Sequence, residues 1–195
     1  MPQRHVVLAS SSPYRRGQLA QLGLRFEAIA PDIDETPREG EVPVALVRRL
    51  AREKAAVIQP HRPTALIIGS DQLAVCAGRV YGKPGNAERA FAQLRAAAGR
   101  RVDFLTALCV RDAARGLERL DLAVTRVRLR PLSDGEIRRY VAADRPFDCA
   151  GSLRSESLGP ALCESIESDD PTALLGLPLI RLCAALRSLG VTLPA

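Results

Sequence analysis

Apolar and polar positions change period several times along this chain, and each change marks an element. Val6–Ala9 is a short apolar strand that stops at Ser10-Ser11-Ser12. Pro13 stands at a first helical position with Ser12 as N-cap, which predicts a helix running to Gly23. Phe26–Ala30 is the next strand, closed by the acidic turn Asp32-Ile33-Asp34-Glu35. From Pro43 to about Gln59 apolar residues recur at helical spacing through Val47, Leu50, Val57 and Ile58, and Lys54 falls in the same stripe. Ala65–Gly69 is a strongly apolar strand expected to end at Ser70-Asp71-Gln72. Ala77-Gly78 predicts a hairpin turn into Arg79–Tyr81, and Asn86 caps a helix that Gly99 ends. Phe104–Val110 and Leu120–Leu129 read as antiparallel strands, the second with Ala123, Thr125, Val127 and Leu129 alternating against Val124, Arg126, Arg128 and Arg130. Ser133 and Glu136 form a capping box that opens a helix to about Ala143. Beyond Asp148 the chain is irregular and rich in Gly and Ser, until a last helix, Pro178–Leu189, closed by Gly190. Strands and helices interleaved in this way predict an α/β protein.

Length and composition narrow the class. A chain of 195 residues with 47% apolar and 26% charged content predicts one domain, residues 1–195, with a single sizeable core and room for lobes. No apolar run approaches the roughly 18–20 residues that span a bilayer, and no apolar segment follows Met1–His5 as a signal peptide requires. Five cysteines, scattered and odd in number, predict reduced thiols in a cytoplasmic protein and argue against zinc or a disulfide framework. A net charge of +6 favours anionic partners. The basic residues are spread along the chain and there is no Trp, so no stable nucleic-acid partner is expected, and a nucleotide or other phosphate ester fits the charge equally well.

The cations themselves carry information. Of 28 basic residues only Lys54 and Lys83 are lysines. Arginine replaces lysine at little cost on a surface, but its planar fork does not fit a tight pocket shaped for a compact ammonium. The two remaining lysines are therefore candidates for chemistry. Lys54 sits in a slot that the helical stripe assigns to the inside, where an ammonium needs anionic partners. Lys83, in Gly82-Lys83-Pro84, follows a short hairpin return. Asp71 lies where the apolar strand is expected to end, the edge at which open α/β sheets place ligands, and could bind a divalent metal or take a proton from water. Glu35 could supply a second metal-binding carboxylate. Ser10, Ser12 and Arg15, at a strand-to-helix corner, make a ready anion site.

These residues together resemble a known family. Ser10-x-Ser12-Pro13-x-Arg15, Asp34-Glu35, Glu53-Lys54-Ala55, Gly69-Ser70-Asp71-Gln72, Gly82-Lys83-Pro84, Cys149-Ala150-Gly151-Ser152 and Gly176-Leu177-Pro178-Leu179 are similar, in order and spacing, to the Maf-type nucleotide pyrophosphatases. Tyr14, Gln72 and Glu156 match the YceF-like branch, which hydrolyses 7-methyl-GTP to 7-methyl-GMP and pyrophosphate. Tyr14 stands where that branch often has Trp, and Ser157 and Ser168 stand where glycine is usual. The resemblance implies a mixed central sheet flanked by helices, two lobes with a cleft as in inosine-triphosphatase-type folds, and a homodimer. It implies that Ser10, Ser12, Arg15, Lys54 and Lys83 grip the triphosphate and that Asp71 is the base for the attacking water. Glu35 and Asp71 would hold a divalent cation, Mg²⁺ or Mn²⁺, and Tyr14, Gln72 and Glu156 would set substrate choice. The last assignment has a physical reason. N7-methylation makes guanine cationic, an aromatic face attracts a cation by about 0.5–2 kcal/mol, and a carboxylate accepts from the purine N1–H and 2-amino group. The competing readings are a pyrophosphatase for dTTP, UTP or modified pyrimidine nucleotides, and a non-catalytic nucleotide- or RNA-binding protein.

Overall fold

Strand β1 (Val6–Ala9) lies between β2 (Phe26–Ile29) and β3 (Leu66–Cys76) and runs parallel to both. Covered on both faces, a strand in this position reads as an unbroken apolar run, and all four of its residues are buried. The computed structural model describes residues 4–194, in which β1–β3 form one half of a single seven-stranded mixed sheet. The other half is antiparallel. β5 (Arg101–Asp112), β6 (Leu117–Leu129) and β7 (Cys163–Glu167) follow β3 in the order β2-β1-β3-β5-β6-β7, and β4 (Arg79–Tyr81) folds back on β3. The α/β class, the mixed sheet and the flanking helices are as expected.

Helices cover both faces. α2 (Pro43–Ile58) packs Val47, Leu50, Ala51 and Ala55 against Val7, Ile67 and Cys109. On the opposite face, Leu19 of α1 (Pro13–Ala20) and Leu182 and Leu186 of α5 (Leu179–Ser188) pack on Leu8, Ile68 and Leu108. Farther along the long strands, α3 (Ala87–Ala97) and α4 (Asp134–Asp144) build a third cluster with Ala74, Phe104, Val127 and Leu129. The local signals hold at atomic detail. Asn86 Oδ1 accepts from Arg89 N at 2.9 Å, and the Ser133–Glu136 capping box is complete. At the hairpin, Ala77 and Gly78 both take positive φ (48° and 76°), the handedness that a two-residue turn between twisted strands requires.

Three expectations are corrected. α1 ends at Ala20 instead of Gly23, and the last residues finish as a turn. The irregular stretch after Asp148 contains the edge strand β7, which has almost no buried face to create a period. The third correction matters most. β3 does not end at Gly69 but continues to Cys76, because β5 supplies hydrogen-bond partners along that whole length, with Asp71 opposite Ala107. Asp71 is therefore inside a strand. On its other edge, β3 pairs with β1 as far as Gly69 and with β4 from Ala74 onward. The intervening Ser70–Leu73 has no strand partner on that side. The ligand edge expected at a strand end is instead this gap, which opens where β1 stops.

Gly69 sets the depth of α2 on the sheet. A Cβ there would lie 2.2 Å from Ala51 O and 2.9 Å from Ala55 N, both backbone atoms of the helix. Gly69→Ala must push α2 outward, at a cost of about 1–3 kcal/mol. The expected result is a melting temperature lower by about 5 °C, measured by thermal unfolding. An unchanged transition would show that α2 does not rest on Gly69.

Candidate active site

The gap beside Ser70–Leu73 opens into a cleft of about 360 Å³. All ten residues nominated from the sequence line it: Ser10, Ser12, Tyr14, Arg15, Glu35, Lys54, Asp71, Gln72, Lys83 and Glu156. They arrive from several elements. β1 delivers the Ser10–Arg15 corner, α2 delivers Lys54, the segment after β4 delivers Lys83, and the loop after α4 delivers Glu156.

Lys54 forms the floor. It occupies the buried stripe of α2 and is only 6% exposed. Its Nζ lies 2.6 Å from Asp71 Oδ1 and 2.7 Å from Glu35 Oε1, so one ammonium bridges the two carboxylates. A buried charge is tolerated only when paired and hydrogen-bonded, and this pairing meets both conditions. Burial raises the Glu35 pKa, but the Lys54 hydrogen bond and the charges of Lys54, Lys83 and Arg15 outweigh it and leave the carboxyl below its usual range. Glu35 is thus ionised at neutral pH although it belongs to a loop.

The phosphate-binding corner is preset. Ser10 Oγ accepts from Ser12 N at 3.1 Å, and Ser12 Oγ accepts from Arg15 N at 3.4 Å. Each hydroxyl keeps its proton to donate outward, at the positive end of the α1 dipole. Arg15 is held by its Nε, which donates to Gly176 O at 2.8 Å. Gly176 has φ +106°, and a Cβ there would stand 3.2 Å from Arg15 Nε, so glycine serves both the turn and the close approach. Burial lowers the Arg15 pKa, while Asp71 and Glu35 pull the other way. Ser70 Oγ, fully buried, ties the same carbonyl to the sheet at 2.9 Å.

The far end of the cleft is built around Tyr14. Its hydroxyl donates to Asp148 Oδ1 at 3.3 Å, and the Arg154 guanidinium lies 5.9 Å from the ring centroid. Arg154 Nε is 3.5 Å from Glu156 Oε1, and its Nη1 donates to Asp144 O at 2.8 Å. Gln72 is used differently from Tyr14 and Glu156. Its amide nitrogen serves Thr106 Oγ1, Ala173 O and Leu174 O at 2.9–3.1 Å, which anchors the 171–175 turn and leaves Oε1 as the group available to a ligand. Cys149 sits here as well. Burial, aided by the Asp148 and Glu156 carboxylates, pushes its thiol up to about 12, which disfavours the thiolate. The sequence reading missed Asp148, Arg154 and the Gly176 carbonyl as site groups. Only their adjacency to Cys149-Ala150-Gly151-Ser152, Glu156 and Gly176-Leu177-Pro178-Leu179 could have signalled them.

Glu35 and Asp71 remain the cleft's candidate metal ligands. No group of three or more His, Cys, Asp or Glu among the described residues could form an all-protein cage. Two hard carboxylates suit a magnesium-type ion that takes its other ligands from water and substrate phosphates. The donor set fits such an ion.

The chain is similar to several known proteins. A 7-methyl-GTP pyrophosphatase from Polaromonas sp. (strain JS666) is 53% identical over 190 residues, covering 97% of this chain and 87% of that protein. Another, from Albidiferax ferrireducens, is 49% identical over 189 residues, covering 97% and 95%. In structure the chain is similar to the Staphylococcus aureus Ham1 protein, with a TM-score of 0.55 at 13% identity over 95% of this chain and 99% of that one. That likeness shows a shared fold. A family model described as Maf-like protein matches residues 5–189, and with it the chain belongs to the Maf family.

Proposed function

We propose that this protein is a nucleoside triphosphate pyrophosphatase that converts 7-methyl-GTP to 7-methyl-GMP and pyrophosphate. The observation that carries the reading is the Lys54 ammonium held between Asp71 and Glu35, in a cleft whose other end joins an aromatic ring to carboxylates. Relatives 53% and 49% identical over nearly the whole chain bear that activity in their names, which supports extending it to this protein.

In this reading Ser10, Ser12, Arg15, Lys54 and Lys83 hold the triphosphate, and the cationic corner neutralises the pyrophosphate as it leaves. Lys54 fixes Asp71 through Oδ1. Asp71 Oδ2 takes a proton from water as the water oxygen bonds to the α-phosphorus. The bond from that phosphorus to the bridging oxygen then breaks, and pyrophosphate departs with the bonding pair. Glu35 and Asp71 would hold a Mg²⁺ or Mn²⁺ ion, which supplies Lewis-acid neutralisation of phosphate charge when bound. Tyr14, Glu156 and Gln72 Oε1 read the base.

Pyrophosphate release from a panel of nucleoside triphosphates, with and without divalent cation, tests the reading. The expected result is cation-dependent release that is fastest with 7-methyl-GTP. Faster turnover of dTTP or UTP would assign the other substrate class, and binding without release would make the chain a nucleotide-binding protein.

The proposal includes a homodimer in a reducing, cytoplasmic setting. The family resemblance supports the first, and five free, dispersed cysteines are compatible with the second. No helix among the described residues is long and apolar enough to cross a membrane. Light scattering in solution tests the dimer.

A further inference from the structure

The base end of the cleft has a charge balance that Glu156 alone does not explain. Three carboxylates, Asp144, Asp148 and Glu156, belong to this end, and the Arg154 guanidinium pairs with only two of them, with Nη1 3.6 Å from Asp144 Oδ1 and Nε 3.5 Å from Glu156 Oε1. Asp144 is buried and is further satisfied by Ser157 Oγ at 2.7 Å and Leu158 N at 3.2 Å, so it is sealed off from any ligand. Asp148 differs from both. It lines the cleft, it is exposed, and among the described residues it has no cationic partner within ion-pair distance. Its near contacts are the Tyr14 hydroxyl at 3.3 Å and the Cys149 thiol at 3.5 Å.

We propose that Asp148 is a further specificity-determining residue, whose free carboxylate favours a cationic base over a neutral one at the Tyr14 face. The inference rests on the 7-methyl-GTP reading and adds to it a second carboxylate. Two effects combine. The negative charge lies beside the ring, where it adds to the attraction of the π face for a cation. The hydrogen bond from Tyr14 fixes the orientation of the ring across 134 residues of chain separation. The Tyr14 hydroxyl pKa is raised, first by burial and then by its neighbours Cys149 and Asp148, against the opposing charge of Arg154. The phosphate end sets three cations, Arg15, Lys54 and Lys83, against two carboxylates, Glu35 and Asp71, and so keeps a positive balance. The cleft therefore has two poles, one for the triphosphate and one for a positively charged base.

The test is the ratio of kcat/KM for 7-methyl-GTP to that for GTP. Asp148→Asn keeps size and an acceptor for Tyr14 but removes the charge. It should lower the ratio about fivefold, the size of a unit-charge interaction at a few ångströms in a well-solvated site. The wild-type ratio should fall as salt is raised toward 1 M, where the Debye length is about 3 Å, and the variant's ratio should fall less. Asp148→Ala, which also frees the Tyr14 hydroxyl, should lower the ratio at least as much. A wild-type ratio near one would remove the methylguanine reading itself. A wild-type preference that survives Asp148→Asn, or is lost only in Asp148→Ala, would overturn the charge role of Asp148 and leave that reading standing.

Discussion

Asp71→Asn is expected to lower kcat/KM for 7-methyl-GTP by about 10²–10⁴-fold, the range typical of removing a general base. The substitution is isosteric and sits in the middle of β3, whose backbone bonds to β5 are unaffected by the side chain. An amide can still accept from Lys54, so the floor of the cleft keeps its shape. What is lost is the oxygen that takes the proton, together with one of the two charges opposite the ammonium. Lys54 would retain Glu35 at 2.7 Å. The two measurements needed are steady-state pyrophosphate release and thermal unfolding on the same preparation. A folded Asp71→Asn protein with turnover near that of wild type would end the assignment of Asp71 as base.

Lys54→Arg should be nearly as damaging, although it conserves charge. The Lys54 side chain is 7% exposed, and its Nζ meets two carboxylate oxygens at 2.6 and 2.7 Å. A guanidinium is longer and planar, with its donors fixed in one plane, and does not fit a pocket shaped for a compact ammonium. It must displace either Asp71 or the Glu35 loop, and a shift of about 1 Å at a reacting group costs on the order of 10²-fold in rate. Lys54→Met removes the charge altogether and leaves the buried Asp71 carboxylate without its partner, a loss of about 3–5 kcal/mol in stability. The two variants should therefore separate. Arginine should lose activity with a modest change in melting temperature, and methionine should lose both. Normal turnover by Lys54→Arg would show that the site reads charge and not shape.

Much of this could be seen in the linear sequence, because the signals involved are local. A cap contacts a group three residues away, a helical stripe repeats within two turns, and a buried parallel strand is apolar throughout. Ser12, Asn86 and Ser133 mark their helix starts for that reason. Lys54 could be nominated as functional because it breaks its own stripe, and a lysine on an inward face predicts anions opposite. The sequence could not say which anions. Asp71 is 17 residues away from Lys54, and Glu35 reaches the same ammonium from a loop with no pattern of its own.

The tertiary structure alone decided where strands stop and which loops meet. Strand length depends on the supply of hydrogen-bond partners, and β5 supplies them past the point where the apolar run of β3 ends. The same accounting leaves Ser70–Leu73 unpaired on one edge, and this gap is the origin of the cleft. β7 was invisible because an exposed edge strand needs only a backbone partner, and its side chains carry no alternation. Asp148, Arg154 and Tyr14 come together because α1 and the loop after α4 approach across the sheet. The sequence by itself determined most of the elements, their apolar faces and the residues fit for phosphate chemistry. Their convergence on one cleft, with opposite charge at its two ends, was decided by long-range pairing, which no local periodicity encodes.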